Sequence, residues 1–385
     1  MNAIYRLIFN RALGCLQVAS ELTKAGGGAA GGVVGAKVRG AAADKDQVPT
    51  LNLLLRQIRA VLQPAVPLLM VGASVLAPGL ADAATAKYIS SSISNLSITG
   101  SSTSQVVLTP GGTISGTLSN QGTISGAAAG VSQISGTGGI GTLSNQGIIS
   151  GSKWGVLNGV SIGYLGNSGG TISGGIIGVS NNGASSQIGT LLNQGLISGK
   201  SYGLSNSGTI SSLINAGTIL SAAGSSPAAL LNTGTIGTFL NQGHISSSSG
   251  PAVNDEGIIG TLSNTGTIST SSLAAVTVGT LGSIGQLSNS GLIQSTSGAH
   301  RGVVVNGDVG LLSNSGTIDG AVIGYLSIGT LSNNFGGTIS YGIGVAAAGY
   351  VGTLNNGGLI NGGIDISTDA VPAGAPAGAP TTINN

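Results

Sequence analysis

A ten-residue phrase recurs along the second half of the chain and constrains the fold more than any other feature of the sequence. It reads Ile-Gly-Thr-Leu-Ser-Asn-Gln-Gly-Ile-Ile at residues 140–149. Copies of the same spacing occupy 188–197, 236–245, 259–268, 284–293, 309–318 and 351–360, and copies opening at Ile162 and Ile328 carry one and two inserted residues. Where neighbouring copies are both present, they open 19 to 26 residues apart, which is the period of a solenoid.

The phrase has the alternation of a strand with one buried face. When the opening residue is counted as position zero, Leu stands at position three, Asn at five, Gly at seven and Ile at nine, with Phe239 replacing Leu once. These positions share one parity, and successive side chains of an extended chain point to opposite faces. Leu, Asn and Ile are therefore predicted to point inward, while Thr, Ser and Gln point outward.

One repeat cannot bury this face alone, but stacked repeats place like residues over one another at about 4.8 Å. Each fully buried Leu or Ile contributes roughly 1.5–3 kcal/mol. A column of Asn lets each amide bond the next, and the Asn-x-Gly step suggests a corner where Gly takes a positive φ. A turn-rich β repeat with solvent-facing Asn is the alternative. The predicted structural ladder comprises Leu143, Asn145, Ile149, Leu191, Asn193, Ile197, Leu262, Asn264, Ile268, Leu287, Asn289, Ile293, Leu312, Asn314 and Ile318.

A less regular segment separates consecutive phrases, for example at residues 152–159 and 201–208. Each such segment is predicted to form a third short strand followed by a turn. Three strands and three corners in about 24 residues favour a β-helix over a propeller blade, which needs about 40 residues or more. We therefore predict an all-β chain: a right-handed parallel β-helix solenoid of roughly ten rungs over residues 113–366. Residues 84–112 are predicted to be its N-terminal cap.

The composition excludes several classes of protein. The chain contains 71 Gly and only 6% charged residues, and its basic excess is confined to the first 83 residues. The remainder has no basic stripe and few aromatic residues, which argues against nucleic acid as a partner. The single cysteine, Cys15, lies near the start, so the later part of the chain has no disulfide and no thiolate metal site.

The first residues carry a family resemblance. Taken alone, Ile4, Leu7, Ile8 and Ala12 have helical spacing, which predicts a helical or unstructured leader. The wording of residues 1–24 closely resembles the extended signal peptide region of type V secretion proteins, the autotransporters of Gram-negative bacteria. The resemblance rests on Asn-x-Ile-Tyr-Arg at residues 2–6, Phe-Asn-Arg at residues 9–11 and Val-Ala-Ser-Glu-Leu at residues 18–22. Phe9 stands where the family usually has Trp.

A second export signal follows a Gly- and Ala-rich linker over residues 25–50. Residues 51–83 contain Arg56 and Arg59, an apolar run over 68–80 and the small residues Ala-Asp-Ala, which is the pattern of a cleaved secretory signal. The apolar run is too short to span a membrane. We predict cleavage after Ala83, with Ala86 as the second choice, and therefore export by the Sec machinery.

The chain ends in a Pro-, Ala- and Gly-rich tail over residues 367–385. The family resemblance implies an outer-membrane translocator barrel, and we see no barrel strands in this sequence. Either the translocator is a separate partner, or the sequence belongs to a passenger whose translocator was lost.

The β-helix is also a scaffold of polysaccharide lyases and hydrolases, which need carboxylates held on neighbouring rungs. In the repeat frame Asp255, Glu256, Asp308 and Asp319 fall in different columns. The sequence therefore predicts scattered, solvated carboxylates, no enzyme activity, and no metal or other cofactor.

The other candidate chemical groups are isolated. Gly-x-Ser-x-Gly strings surround Ser161 and Ser168, but neither lies in a strand-to-helix context, so we assign them no chemistry. His244 and His300 have no second metal ligand at suitable spacing and are predicted at the surface. Six aromatic residues mark either a contact surface or widened rungs that they fill: Trp154, Tyr164, Tyr202, Tyr325, Tyr341 and Tyr350.

Together these features predict an autotransporter-type passenger, exported to the cell surface or secreted. Its expected role is structural or adhesive, with a host surface, a carbohydrate or a sister cell as the partner. A carbohydrate-active β-helix enzyme is the alternative.

Overall fold

The computed structural model describes residues 5–10, 15–20, 86–100, 103–222, 228–346, 349–366 and 382–385. These residues form strands, turns and bends, and no helix occurs among them. The chain divides into two compact units, Met1–Pro78 and Gly79–Asn385.

In the first unit, β1 (Tyr5–Asn10) and β2 (Cys15–Ser20) form an antiparallel pair in which Tyr5 lies opposite Ser20. The helical prediction is therefore wrong for these two segments. Tyr, Ile, Phe and Val favour strands, and two short segments that can pair with each other override a helical spacing of only a few residues. The predicted signal sequence, its cleavage site at Ala83 and the linker before it lie outside the described residues.

The second unit is a parallel β-solenoid of about twelve turns, which confirms the predicted architecture. Each regular turn contributes one strand to each of three parallel sheets, here called A, B and C. The prediction of roughly ten rungs was low because it missed the turns that open at Ile114 and Ile210. Ser211 replaces the usual Gly in one of them, and the strand that begins at Thr113 carries an additional residue, seen as a register shift in its pairing.

Sheet A contains β4 (Ser92–Ile93), β5 (Leu96–Ile98), β8 (Thr113–Asn120), β11 (Ile140–Asn145), β14 (Ser161–Asn167), β17 (Gln187–Asn193), β20 (Thr209–Asn215), β23 (Thr235–Asn241), β26 (Ile258–Asn264), β29 (Ser283–Asn289), β32 (Asp308–Asn314), β35 (Ser327–Asn333), β38 (Tyr350–Asn356) and β41 (Thr382–Asn384). Sheet B contains β6 (Thr103–Ser104), β9 (Thr123–Gly126), β12 (Ile148–Gly151), β15 (Thr171–Gly174), β18 (Leu196–Gly199), β21 (Thr218–Ser221), β24 (His244–Ser247), β27 (Thr267–Thr270), β30 (Leu292–Ser295), β33 (Thr317–Asp319), β36 (Thr338–Ile339) and β39 (Leu359–Ile360). Sheet C contains β3 (Lys87–Ile89), β7 (Val106–Leu108), β10 (Ala129–Gln133), β13 (Trp154–Asn158), β16 (Ile177–Asn181), β19 (Tyr202–Asn206), β22 (Ala228–Asn232), β25 (Val253–Asp255), β28 (Ala274–Val278), β31 (Arg301–Val305), β34 (Ala321–Gly324), β37 (Ile343–Val345) and β40 (Ile364–Ile366).

The register of the sheets places like residues over like residues. In sheet A, Leu143 pairs with Leu118 on one side and Leu165 on the other. In sheet B, Ile149 pairs with Ile124 and with Ile172. These columns form one continuous apolar core, so each turn is stabilised by its two neighbours rather than by a core of its own.

The alternation of faces breaks once in each full sheet A strand. Ile140 at position zero and Leu143 at position three are both buried, although their parities differ. The pairing register passes over the intervening Gly141. The backbone therefore bends at this glycine, and the bend adds position zero to the buried set.

The asparagines at position five form the predicted amide column. Asn145 accepts a hydrogen bond at its Oδ1 from Nδ2 of Asn120 at 2.7 Å, and its own Nδ2 donates to Oδ1 of Asn167 at 2.8 Å. The same bond continues from turn to turn through Asn193, Asn215, Asn241, Asn264, Asn289, Asn314, Asn333, Asn356 and Asn385. Because these amides are paired with one another and are buried from Asn120 to Asn333, the alternative of solvent-facing asparagines is wrong.

The glycine at position seven is required for a different reason from the predicted positive φ. Gly147 and its equivalents in the copies without insertions do not have a positive φ. Instead, a Cβ at Gly147 would collide with the carbonyl oxygen of Gly122 in the preceding turn. Positive φ occurs at corners with insertions, at Gly169 (78°) and Gly336 (83°).

Both ends of the solenoid depart from the repeat. Residues 86–108 form an irregular first turn, in which Ile98 occupies the position of the column asparagine opposite Asn120. Oδ1 of Asn120 consequently has no hydrogen-bond partner. At the other end, β41 lies within the segment that we predicted as a tail and pairs in parallel with β38.

Candidate functional site

The predicted ladder residues lie inside the solenoid. All fifteen, from Leu143 to Ile318, are at most 1% exposed, and the five asparagines among them bond to both neighbouring turns. Their side chains hold the turns together and do not reach an external ligand. Any binding surface of the described solenoid must therefore be built from outward-facing columns.

The carboxylates do not form a shared site. Asp308 begins β32 and pairs with Ser283 and Ser327, whereas Asp319 ends β33 and pairs with Gln294. Asp255 lies in sheet C, where its neighbours in the column are Asn232 and Val278. Across the described residues, no group of three or more His, Cys, Asp or Glu side chains could hold a metal ion.

A second amide column, which the sequence analysis missed, runs through sheet C. Nδ2 of Asn158 donates to Oδ1 of Asn181 at 2.7 Å, and the pattern continues through Asn206 and Asn232. It ends at Asp255, whose Oδ1 accepts a bond of 2.7 Å from Asn232. The signal was available in the sequence, because these residues recur at intervals of 23 to 26 positions, close to the length of one turn.

Asp255 is fully buried, so the prediction of a solvated carboxylate is wrong for this residue. Its second oxygen, Oδ2, has no hydrogen-bond partner. Burial raises the pKa of this carboxyl from its ordinary 3.8 to about 6. The hydrogen bonds from Asn232 and Gly257 oppose the increase in pKa, and the negative charge of Glu256 adds to it. Asp255 is therefore an interior acid at the end of a column, with Glu256 as its adjacent carboxylate.

The isolated polar candidates occupy separate places. Ser161 is the first residue of β14, and Ser168 lies in the corner that follows this strand. His244 is the exposed first residue of β24. His300 stacks on Tyr341 with ring centroids 4.1 Å apart, and it has a φ of 44°, in the left-handed region.

The six aromatic residues named above lie on the outside, and Phe239 is the aromatic residue that fills the described core. Trp154 and Tyr202 belong to one column of sheet C, because Trp154 pairs with Ile177 and Ile177 pairs with Tyr202. Nζ of Lys153 lies 5.7 Å from the centroid of the Trp154 ring. This column groups two of the aromatic residues; Tyr164 lies on sheet A, in the column of Thr142 and Thr190.

Comparison with known proteins identifies the export segment. The family Extended Signal Peptide of Type V secretion system matches residues 1–43, so the match includes most of the Gly- and Ala-rich stretch. No curated protein and no solved structure matches the chain. No helix that could cross a membrane was found in the described residues.

The fold thus defines a β-solenoid, and its leader assigns that solenoid to an export pathway. The extended signal peptide and the parallel β-helix together support an autotransporter-type passenger of type V secretion. This signal implies Sec-dependent export across the inner membrane, an outer-membrane translocator as a partner, and a destination at the cell surface or in the medium.

Proposed function

We propose that the mature protein is a structural and adhesive passenger without catalytic activity. The observation that supports this role most directly is the regular outer surface of the solenoid. In sheet A, for example, Thr142 and Ser144 face outward and stack on Thr117 and Ser119 of the preceding turn. Identical polar groups at regular intervals on one scaffold can bind a partner with a repeated structure through many weak contacts. Such multivalent binding has a higher overall affinity than any single contact.

The interior suits this role because it resists bending of the turns against one another. Asn264, for example, bonds to both the preceding and the following turn, and the Leu and Ile columns around it form one apolar core. Such a scaffold keeps outward side chains at a constant spacing, so little conformational entropy is lost when a ligand binds.

Adhesion by bacteria that produce the full-length chain tests the proposal. Intact cells are treated with protease to show that the chain is at the surface, and their attachment to host cells and to immobilised glycans is compared with that of cells lacking the chain. Leu262→Asp, which places a charge in the core, should abolish attachment. Thr261→Asp, one residue earlier on the outer face, should retain the fold and serves as the matched control.

Two results would overturn the proposal. Equal attachment with and without a surface-exposed chain would remove the adhesive role. Depolymerisation of a polysaccharide by the purified chain, lost in Asp308→Asn or Asp319→Asn, would establish the enzymatic alternative.

A further inference from the structure

The outer face of sheet C carries a short strip of large side chains at its first position. Trp154, Ile177 and Tyr202 stand on three consecutive turns and pair in register. The residues above and below them in this column are Ala129 and Ala228, which are 3% and 2% exposed. The strip is thus a local feature, confined to three turns.

These three side chains point away from the core. The next residue in each strand is a glycine, and a Cβ at Gly155 would meet the core side chain of Ile172, so that position faces inward. The pairing register passes over this glycine, as it does in sheet A, so the outward direction of the preceding side chain is given by its exposure and not by simple alternation. Trp154, Ile177 and Tyr202 are all partly exposed, and the adjacent corner residue Ile176 is 41% exposed.

The backbone holds the strip in place. The amides of Ile176 and Ile177 both donate to the carbonyl oxygen of Lys153, at 3.0 and 2.9 Å. The amides of Ser201 and Tyr202 donate in the same way to the carbonyl oxygen of Ile176, at 2.9 and 3.1 Å. The corners of these three turns therefore repeat one backbone geometry, which fixes the spacing at which the three side chains leave the chain.

The distribution of charge singles out the same place. Between residues 88 and 254, Lys153 and Lys200 are the only Asp, Glu, Lys or Arg residues in the sequence. Both are exposed and lie in the corners that precede Trp154 and Tyr202. The acidic residues that follow the leader begin at Asp255. The strip thus combines partly exposed rings with two exposed positive charges.

We propose that this strip binds an acidic polysaccharide, with sugar rings on Trp154 and Tyr202 and sugar carboxylates beside Lys153 and Lys200. The proposal rests on the adhesive function proposed above and names its ligand class. Trp154 and Tyr202 are two turns apart, or about 9.6 Å at one strand spacing per turn. This distance is close to two residues of an extended glycan, so a chain running along the solenoid axis can place alternate sugars on the two rings.

Selective binding of an acidic polysaccharide requires both the aromatic rings and the lysines. Aromatic faces attract the C–H groups of sugars but do not select for charge. Exposed lysines attract any anion, in a manner that weakens with salt. Their combination selects a polymer that has both rings and carboxylates at short intervals.

The test uses the full-length purified chain with polygalacturonate and with its methyl ester, which keeps the rings and removes the charge. We expect binding to polygalacturonate that falls as salt increases, and weaker binding to the ester. Trp154→Ala with Tyr202→Ala should weaken binding by about tenfold or more. Lys153→Gln with Lys200→Gln should have a similar effect and also reduce the dependence on salt.

Tyr325→Ala is the matched control, because Tyr325 is 40% exposed and lies in a different corner, between β34 and β35. It should leave the affinity unchanged. Equal binding of polygalacturonate by the parent chain and the Trp154 and Tyr202 variant would overturn the proposal. The proposal would also be overturned if the parent chain bound no acidic polymer but self-associated through the two lysines. The acidic residues from Asp255 onward in a second copy would then be the partner of the strip. Cell attachment that survives these substitutions would leave the adhesive role standing without this ligand.

Discussion

Replacement of Asp255 by Asn should stabilise the solenoid at neutral pH. Each asparagine of the second column donates its Nδ2 to the next turn and to nearby carbonyls; Asn232, for example, reaches the carbonyl oxygens of Gly234 and Ile258, each at 3.2 Å. By register, the equivalent carbonyls for position 255 are those of Gly257 and Ser283. Asp255 presents the unpaired Oδ2 at this end of the column, whereas an amide has N–H groups to donate there.

The magnitude follows from the pKa. Because the folded-state pKa of Asp255 is about 6 and its ordinary value is 3.8, ionisation costs the folded chain about 3 kcal/mol. This contribution to stability is complete below about pH 4 and is lost as the pH rises through about 6. The parent chain should therefore lose up to about 3 kcal/mol over this window, and Asp255→Asn should not.

Urea unfolding of the full-length chain at pH 4, 5, 6 and 7 measures the effect. Far-ultraviolet circular dichroism reports the whole solenoid, and the fluorescence of Trp154, the only tryptophan, reports one turn. Asp308→Asn is the control, since it removes a carboxylate from an exposed position. The reasoning fails if Asp255→Asn is no more stable than the parent at pH 7, or if both chains show the same dependence on pH.

Three further substitutions test the interior. Asn264→Ala should lower the free energy of unfolding by about 2–3 kcal/mol, because it leaves the Oδ1 of Asn289 without its donor; a change below about 0.5 kcal/mol in urea unfolding would contradict the buried amide column. Gly266→Ala should destabilise the chain because its Cβ would meet the backbone of Gly243, whereas Gly344→Ala, which has open space, should be tolerated in thermal unfolding. Leu287→Ala should cost about 2–5 kcal/mol as a cavity in the core, and unchanged stability would show that this leucine is not packed.

Much of the solenoid was predictable because its information is periodic. The Leu, Asn and Ile positions repeat in one parity, and stacking at strand spacing is the arrangement that buries them all. The same reasoning failed for Ile98 and Asp255, where a single residue of another type ends a column. Such ends are set by one position, and a periodic pattern carries no information about them.

The outer strip was only half visible from the sequence. In the sequence, Trp154 and Tyr202 are aromatic residues of separate variable segments, which is compatible both with filled rungs and with a contact surface. Their membership of one column depends on the length of every corner between them, and these corners vary in length. Register is a property of the folded turns, and spacing within one chain segment does not determine it.

The pairing of each turn with only its nearest neighbours affects how the length of the chain can change. A turn contacts the turn before and the turn after, and the residues on both of its edges are nearly the same. Duplicating or deleting one whole unit therefore creates a junction that resembles the existing ones. The length of the molecule can change by complete units during evolution, while its cross-section stays the same.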